Sequence, residues 1–327
     1  MAKDNGAAVL SRVFTLEIAR VTEAAAVAAA RMRGRGDEAA ADQAAVDAMR
    51  RELNRLPING RVVIGEGERD EAPMLFIGEE VGAGDGPEVD IAVDPLEGTT
   101  ICAKALSGAL AVIAVAEQGT LLHAPDIYMQ KIAIGPGYEE GLVDLDREPA
   151  ENLKALADAK GVGVDDITAC ILDRPRHAKL IEDVRAAGAA IRLIGDGDIA
   201  GVIHTTEPEE TGIDIYMGIG GAPEGVLAAA ALRCIGGQMQ ARLHARGHDE
   251  RERAIAVGIE DVERKYSMEE MASGDVLFAA TGVTDGSMLS GVKFIHGTVE
   301  TETVVMRAAT RTVRWIRTQH GSVEKFA

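Results

Sequence analysis

Asp94 and Glu97 stand three residues apart in the run Val-Asp-Ile-Ala-Val-Asp-Pro-Leu-Glu-Gly-Thr-Thr at 89–100. They offer two hard oxygen donors, and the Thr99 and Thr100 hydroxyls follow, with free N–H groups if a helix begins there. Such a turn can hold a divalent cation on its acids and a phosphate on its donors. Taken alone, it is equally an ordinary solvated acidic loop. A second stretch, Gly65-Glu66-Gly67-Glu68-Arg69-Asp70-Glu71, crowds four carboxylates into seven residues. Like charges so close raise one another's pKa unless a cation or arginine compensates, so this loop is either well solvated or metal-bound. Further on come Asp173-Arg174-Pro175-Arg176-His177, Asp196-Gly197-Asp198 and Gly220-Gly221-Ala222-Pro223-Glu224-Gly225. Carboxylates without His or Cys select Mg²⁺ or Mn²⁺, and arginine forks suit phosphate. The chemistry this set can do is metal-dependent hydrolysis of a phosphate monoester, in which cations polarise the phosphoryl oxygen, steady the leaving alkoxide and activate water.

Other chemistries are unsupported. The chain has no Walker-type Gly-Lys pair, no H-E-x-x-H and no G-x-S-x-G. Gly218-Ile219-Gly220 opens like a dinucleotide fingerprint, but Pro223 stands where the third glycine belongs. The 53 acidic and 34 basic residues give a net charge of −19, which argues against nucleic acid and anionic membrane as partners. An anionic substrate then needs local arginines or bound cations to overcome the global field. Cys102, Cys170 and Cys234 are isolated thiols, fitting neither a disulfide framework nor a zinc site but a reducing cytoplasm. Cys102 reads as a small buried hydrophobe rather than a redox handle. Apolar runs such as 109–116 are too short to span a bilayer, and no signal pattern opens the chain.

These groups must be positioned by regular elements. Phe14, Ile18, Val21, Ala25, Ala28 and Met32 recur at helical spacing, and Gly34 and Gly36 end that helix. Val46, Met49, Leu53 and Leu56 predict a second helix after Asp42, stopping at Pro57; on this residue alone, Asp42 reads as a cap rather than a ligand. Strands are predicted at 62–64, 91–93, 109–115 and 131–134, with the chain turning to loop at Asp94 and Pro95. The Gly-rich acidic run 135–149 marks a lobe boundary, giving lobes at 1–140 and 141–327. Helices at 153–159, 179–187 and 226–234 then alternate with strands at 167–172, 191–194 and 213–217, the pattern of a mixed or parallel sheet covered by helices. Such sheets carry ligand groups beyond their strand ends. The charged stretch 248–272 reads as helical, 277–284 and 304–316 as strands, and the arginines between Arg307 and Arg317 as a solvated strand face.

Asp94-Pro95-Leu96-Glu97-Gly98-Thr99 resembles the D-P-[IL]-[DE]-G-[ST] signature of the lithium-sensitive phosphatase superfamily. The wider set resembles bacterial class II fructose-1,6-bisphosphatase: Val63-Ile64-Gly65-Glu66-Gly67-Glu68, Asp70-Glu71-Ala72-Pro73-Met74, Ala124-Pro125-Asp126-x-Tyr128-Met129 and the run from Gly218 to Gly225. The resemblance implies a layered α/β/α/β/α sandwich with the site between two lobes. It implies metal ligands at Asp42, Glu66, Asp94, Glu97 and Glu224, for Mn²⁺ or Mg²⁺. It implies substrate contacts from Glu97, Gly98, Thr99, Tyr128, Arg174, Pro175, Arg176, Asp196, Gly197, Asp198 and Gly221, with Thr99 and Asp70, beside Glu68, helping to activate the attacking water. Arg174 stands where relatives carry lysine, which keeps the charge but alters phosphate geometry. The implied activity is hydrolysis of the 1-phosphate of fructose 1,6-bisphosphate in gluconeogenesis. Sedoheptulose 1,7-bisphosphate is the alternative substrate, and a non-catalytic metal and phosphate sensor the remote one. Relatives form dimers or tetramers, so a homo-oligomer is expected, with the 14–32 helix face as one possible contact.

Overall fold

In the computed structural model, Leu10, residues 13–67 and residues 74–326 are described. The chain runs α1 (Phe14–Ala30), α2 (Glu38–Leu53), β1 (Asn59–Ile64), β2 (Glu80–Val81), β3 (Glu88–Glu97), α3 (Thr99–Ala103), β4 (Leu110–Glu117) and β5 (Tyr128–Ile134). It continues through α4 (Pro149–Lys160), β6 (Thr168–Leu172), α5 (Ala178–Ala186), β7 (Ala190–Ile194), α6 (Asp198–Ile203), α7 (Pro208–Thr211), β8 (Ile215–Gly221) and α8 (Ala222–Ile235). The last elements are β9 (Gln238–Leu243), α9 (His248–Ala256), β10 (Lys265–Ser267), α10 (Met268–Met271), β11 (Val276–Gly282), β12 (Lys293–Ile295), β13 (Thr298–Arg307) and β14 (Thr312–His320).

These strands make two sheets. The first has the order β12-β13-β11-β4-β3-β1-β2, with β14 also on β13; the second has the order β10-β9-β5-β8-β6-β7. Both are mixed: β1 runs parallel to β3, and β6 runs parallel to β7 and β8, while the other pairs are antiparallel. Sheet membership does not change at 140–141, where the sequence pattern divides the lobes; it changes between β4 and β5 and again between β10 and β11.

Period-2 burial on both faces of the central strands dictates five layers. In β4, Ala111, Ile113 and Val115 pack into one cluster with α1 and α2, while Val112, Ala114 and Ala116 pack into another with α8. In β5, Met129 and Ala133 face that same α8 cluster, and Ile132 and Ile134 face Leu153, Leu156 and Val184 from α4 and α5. Helix α8 contacts strands of both sheets, so it is the middle layer of an α/β/α/β/α sandwich. Its sequence suits that place, because Leu227, Ala228, Ala229, Ala230, Ala231 and Leu232 are at most 1% exposed all round.

Several expectations need correction. The 14–32 face is not a subunit contact: Phe14, Ile18, Val21 and Ala25 are buried in the chain's own core against α2 and the first sheet. Asp37, not Asp42, caps α2, accepting from the Ala40 N–H at 2.9 Å. The stretch 248–272 breaks after α9 into β10 and α10. Arg307 is no solvated residue; it is 4% exposed and held by Asp275 at 2.7 Å and the Leu10 carbonyl at 2.5 Å. Cys102, Cys170 and Cys234 are all buried and free. Among the described residues, no helix is long and apolar enough to cross a membrane.

Candidate active site

Segments at the ends of second-sheet strands β5, β6, β7, β8 and β9 converge on one cleft, and the far end of β3 is tied to them through Glu97. Strand β3 does not stop at Asp94. It continues through Pro95 to Glu97, with a register shift against β4 between Asp94 and Glu97. Pro95 removes only one donor, and the bulge absorbs it while re-aiming both acids. Gly98 (φ +84°) and Gly197 (φ +82°) adopt left-handed conformations that most side chains avoid, and they launch α3 at Thr99 and α6 at Asp198. The buried Glu97 ties these two launches together, its Oε1 accepting from the Ile199 N–H at 3.2 Å.

The cleft, of about 370 Å³, is lined by Asp126, Tyr128, Arg174, Arg176, Asp196, Asp198, Gly221, Glu224 and Arg246 among others. Glu224 enters it from the first turn of α8. A Cβ on Gly221 would lie 1.8 Å from its Oε2, so only glycine admits that carboxylate. Glu66 after β1 and Asp94 are electrostatic neighbours of Glu224, and Asp42 from the second turn of α2 is a neighbour of Glu66 and Asp94 in turn. Tyr128 is flanked by two cations, with the guanidinium carbons of Arg176 and Arg246 each 4.5 Å from its ring centre. Arg174 donates to the Gly195 carbonyl at 2.5 Å and lies 3.8 Å from Asp196. The cleft thus brings three guanidinium groups and the carboxylates of Asp126, Asp196, Asp198 and Glu224 together.

Thr99, Gly98, Pro175 and Gly197 frame this site at helix starts without lining the cleft. Glu68 and Asp70 lie outside the described residues. Three groups carry no expectation from the sequence. Lys131, 1% exposed, pairs with Asp198 at 2.5 Å and donates to the Gly221 carbonyl at 2.9 Å. Tyr216 donates its hydroxyl to the same Asp198 oxygen at 3.2 Å. Arg246 comes from the β9–α9 loop. A lone lysine within the apolar run 129–134 was a readable signal, since a buried ammonium demands an acid; nothing near Arg246 distinguishes it from surface arginines.

The donor set fits a hard divalent cation. It is all oxygen, and among the described residues Glu97 Oε2 and Glu224 Oε2 are buried without a hydrogen-bond partner. Among the described residues, no three His, Cys, Asp or Glu side chains are already closed into a metal cage, so the acids are neighbours that a cation would draw together.

Residues 12–320 match the bacterial, glpX-encoded fructose-1,6-bisphosphatase family. The chain belongs to that family. It is 49% and 48% identical over 330 residues to D-fructose 1,6-bisphosphatase class 2/sedoheptulose 1,7-bisphosphatase from Synechococcus sp. strains JA-3-3Ab and JA-2-3B'a(2-13), covering 93% of this chain and 94% of each relative. The protein of that name from Synechocystis sp. (strain PCC 6803) is 43% identical, covering 93% and 95%. Among solved structures, the extragenic suppressor protein suhB from Bartonella henselae matches with a TM-score of 0.34 and 17% identity over 60% of this chain and 74% of that one, too little to carry an argument. As a member of its family this fructose-1,6-bisphosphatase is a phosphoric monoester hydrolase dependent on divalent metal.

The electrostatics of the bisphosphatase without its metal yield a prediction. Burial first, then Asp42, Asp94, Glu224 and Asp126, push Glu66 up to about 9. Burial and Asp198 push Glu224 up to about 7, against the pull of Lys131. Burial first, then Glu224, raises Asp94 against the pull of Glu97, and burial first, then Asp94, Asp198 and Glu224, raises Glu97. Because these folded-state values exceed the unfolded ones, the acids contribute stability that is full below about pH 4 and is lost as pH rises through about 7 and 9. The Tm of chelator-treated protein should therefore fall between these limits, and the Tm gain on adding Mn²⁺ or Mg²⁺ should grow over the same range. A gain that stays flat across a pH series of melting curves would contradict the shared-acid cluster.

Proposed function

We propose that this cleft hydrolyses the 1-phosphate of fructose 1,6-bisphosphate, releasing fructose 6-phosphate and phosphate, in a reducing cytoplasm. The observation that carries the reading is one cleft lined both by Arg174, Arg176 and Arg246 and by Glu224, which lies in the field of Glu66, Asp94 and Glu97 with Asp42 next to them. A bisphosphate spans such a cleft, with its distal phosphate on the arginine forks and its scissile phosphate at the acids. Asp42, Glu66, Asp94, Glu97 and Glu224 hold Mg²⁺ or Mn²⁺, which supplies charge neutralisation at the phosphoryl group. Thr99, at the first position of α3, and Asp70 position the attacking water, while Asp196 and Asp198 orient the sugar hydroxyls. Tyr128, stacked between its two arginines, keeps them aimed at the distal phosphate.

The names of the Synechococcus and Synechocystis relatives favour a second substrate, sedoheptulose 1,7-bisphosphate. The polar chemistry is shared, so any preference is set at the arginine end. The test is phosphate release by metal-stripped protein, with and without Mn²⁺ or Mg²⁺, from both bisphosphates and from an inositol phosphate. Metal-dependent release from the ketose bisphosphates, with the kcat/KM ratio ranking them, is the expected result. No release from any of the three by folded protein that still binds the ion would replace the hydrolase reading with the sensor reading.

A further inference from the structure

His177 follows Arg174 and Arg176 on one segment but does not itself line the cleft. Strands β6 and β8 pair only at Ala169 with Ile215 and at Cys170 with Tyr216, after which they part to open the cleft. Beyond Tyr216, the edge of β8 that faces β6 has no strand partner, and a buried peptide group cannot go unpaired cheaply. Side chains from the 173–177 segment take the strand's place. The Ile219 N–H donates to His177 Nε2 at 2.8 Å, and the Ile219 carbonyl accepts from Arg176 Nε and Nη2 at 3.0 and 2.8 Å. At its other nitrogen, His177 Nδ1 lies 2.7 Å from the Leu172 carbonyl at the end of β6. The imidazole therefore bridges the two separating strands.

The bridge fixes one tautomer. The Leu172 carbonyl can only accept, so Nδ1 carries the proton; the Ile219 N–H can only donate, so Nε2 is bare. The ring is 1% exposed and lies against Gly218, where a Cβ would sit 3.1 Å from Nε2, so no side chain could replace that glycine without moving it. The charged groups around it are Arg174 and Arg176 on its own segment, Asp198 at the start of α6, and Lys131 and Arg147 across the small cavity it shares with β5 and the 142–147 loop. Burial holds the ring below the usual histidine range, which keeps it in the neutral form the bridge needs.

We infer that His177 is a positioning residue for substrate, a neutral imidazole splice that spans the gap between β6 and β8 and aims Arg176 and Arg174 at the distal phosphate. With Nε and Nη2 of Arg176 engaged by Ile219, Nη1 is the part of the fork left free for phosphate. The inference rests on the reading of the arginine end as the distal-phosphate site.

The test compares kcat/KM for fructose 1,6-bisphosphate with that for fructose 1-phosphate, which lacks the distal phosphate, in His177→Asn, His177→Gln and Arg176→Ala. Asparagine can still donate to Leu172 but leaves Ile219 without an acceptor, whereas glutamine can still accept from Ile219. The ratio is expected to fall by about tenfold or more in His177→Asn and Arg176→Ala, the scale of one charge-assisted contact, and to stay within about threefold of wild type in His177→Gln. A ratio lowered by Arg176→Ala and unmoved by His177→Asn would overturn the splice while leaving the distal-phosphate reading standing. A ratio unmoved by Arg176→Ala would overturn that reading and the splice with it, and so would equal losses on both substrates in His177→Asn overturn the splice. In ¹⁵N-histidine-labelled wild-type protein, the ring assigned through its nuclear Overhauser contact to the Ile219 amide should show a protonated Nδ1 and a bare Nε2. A protonated Nε2 would end the proposal whatever the variants do.

Discussion

Turnover of fructose 1,6-bisphosphate by the Glu97→Gln protein should fall by about 10²–10³-fold or more, the scale seen when one preorganised charge-stabilising group is lost from an active site. The substitution is nearly isosteric. The glutamine Oε1 can still accept from the Ile199 N–H, so the tie between β3 and α6 survives. What changes is Oε2, a buried oxygen with no hydrogen-bond partner. In the native residue it carries charge available to a cation; in glutamine an amide NH₂ would stand there, a donor where a metal needs an acceptor. The effect on stability should run the other way. Glu97 is crowded by Asp94, Asp198 and Glu224, so removing its charge relieves repulsion, and chelator-treated Glu97→Gln should melt no lower than chelator-treated wild type. Its Tm gain on adding Mn²⁺ should shrink. Glu97→Ala is a poorer test, because it orphans the Ile199 amide at a cost of about 1–3 kcal/mol and confounds folding with chemistry. Wild-type rates in Glu97→Gln at saturating metal, with the same outcome for Asp94→Asn, would remove the acids from the reaction.

How far the sequence reaches is best judged on single residues. The five layers were legible only through the family resemblance. The residues by themselves showed a helix-rich start, a strand-rich middle and an alternating second half, and the apolar runs of α8 and the central strands did not say which layers would cover them. The acid loops were legible because each follows an apolar strand, and β1 and β8 do end where Glu66 and Glu224 begin their work. Pro95 misled because proline in a strand usually ends it; here a bulge in the β3–β4 ladder takes it in, and the strand delivers Glu97 as well as Asp94. Asp37 and Asp42 each stand two residues before an alanine run, and propensity alone could not say which begins the helix. The amphipathic face of α1 was correctly apolar, but periodicity does not name the partner, and the partner is the chain's own sheet. Arg246 and His177 could not be assigned from sequence at all. Their roles come from long-range placement, at the β9–α9 loop for the first and across the parted ends of β6 and β8 for the second.

Lys131 carries the other large prediction. The pleat of β5 sets it on the inner face with Met129 and Ala133, where it is sealed against α8. Its ammonium joins Asp198 Oδ2 at 2.5 Å and the Gly221 carbonyl at 2.9 Å, thereby linking the start of α6 to the residue that caps α8. Two glycines of the 218–225 run, Gly220 and Gly225, lie against this pair. A Cβ on Gly220 would lie 2.0 Å from Asp198 Oδ2 and 2.8 Å from Lys131 Nζ, and one on Gly225 would lie 3.3 Å from Lys131 Cδ. Lys131→Met keeps the length of the side chain and deletes the charge, leaving the Asp198 carboxylate buried beside Glu97 and Glu224 with, among the described residues, the Tyr216 hydroxyl as its remaining side-chain donor. Breaking a buried pair from one side costs about 3–5 kcal/mol, most of it the price of the stranded partner. Denaturant unfolding of Lys131→Met should show that loss, and Lys131→Met with Asp198→Asn should recover much of it, since two neutral groups need no compensation. Turnover should not recover with stability, because the double variant lacks the contacts that set Asp198 and the Gly221 carbonyl in the cleft. A single variant within about 1 kcal/mol of wild type would mean that water or the neighbouring dipoles already satisfy Asp198, and that the ammonium does not hold the two helix starts together.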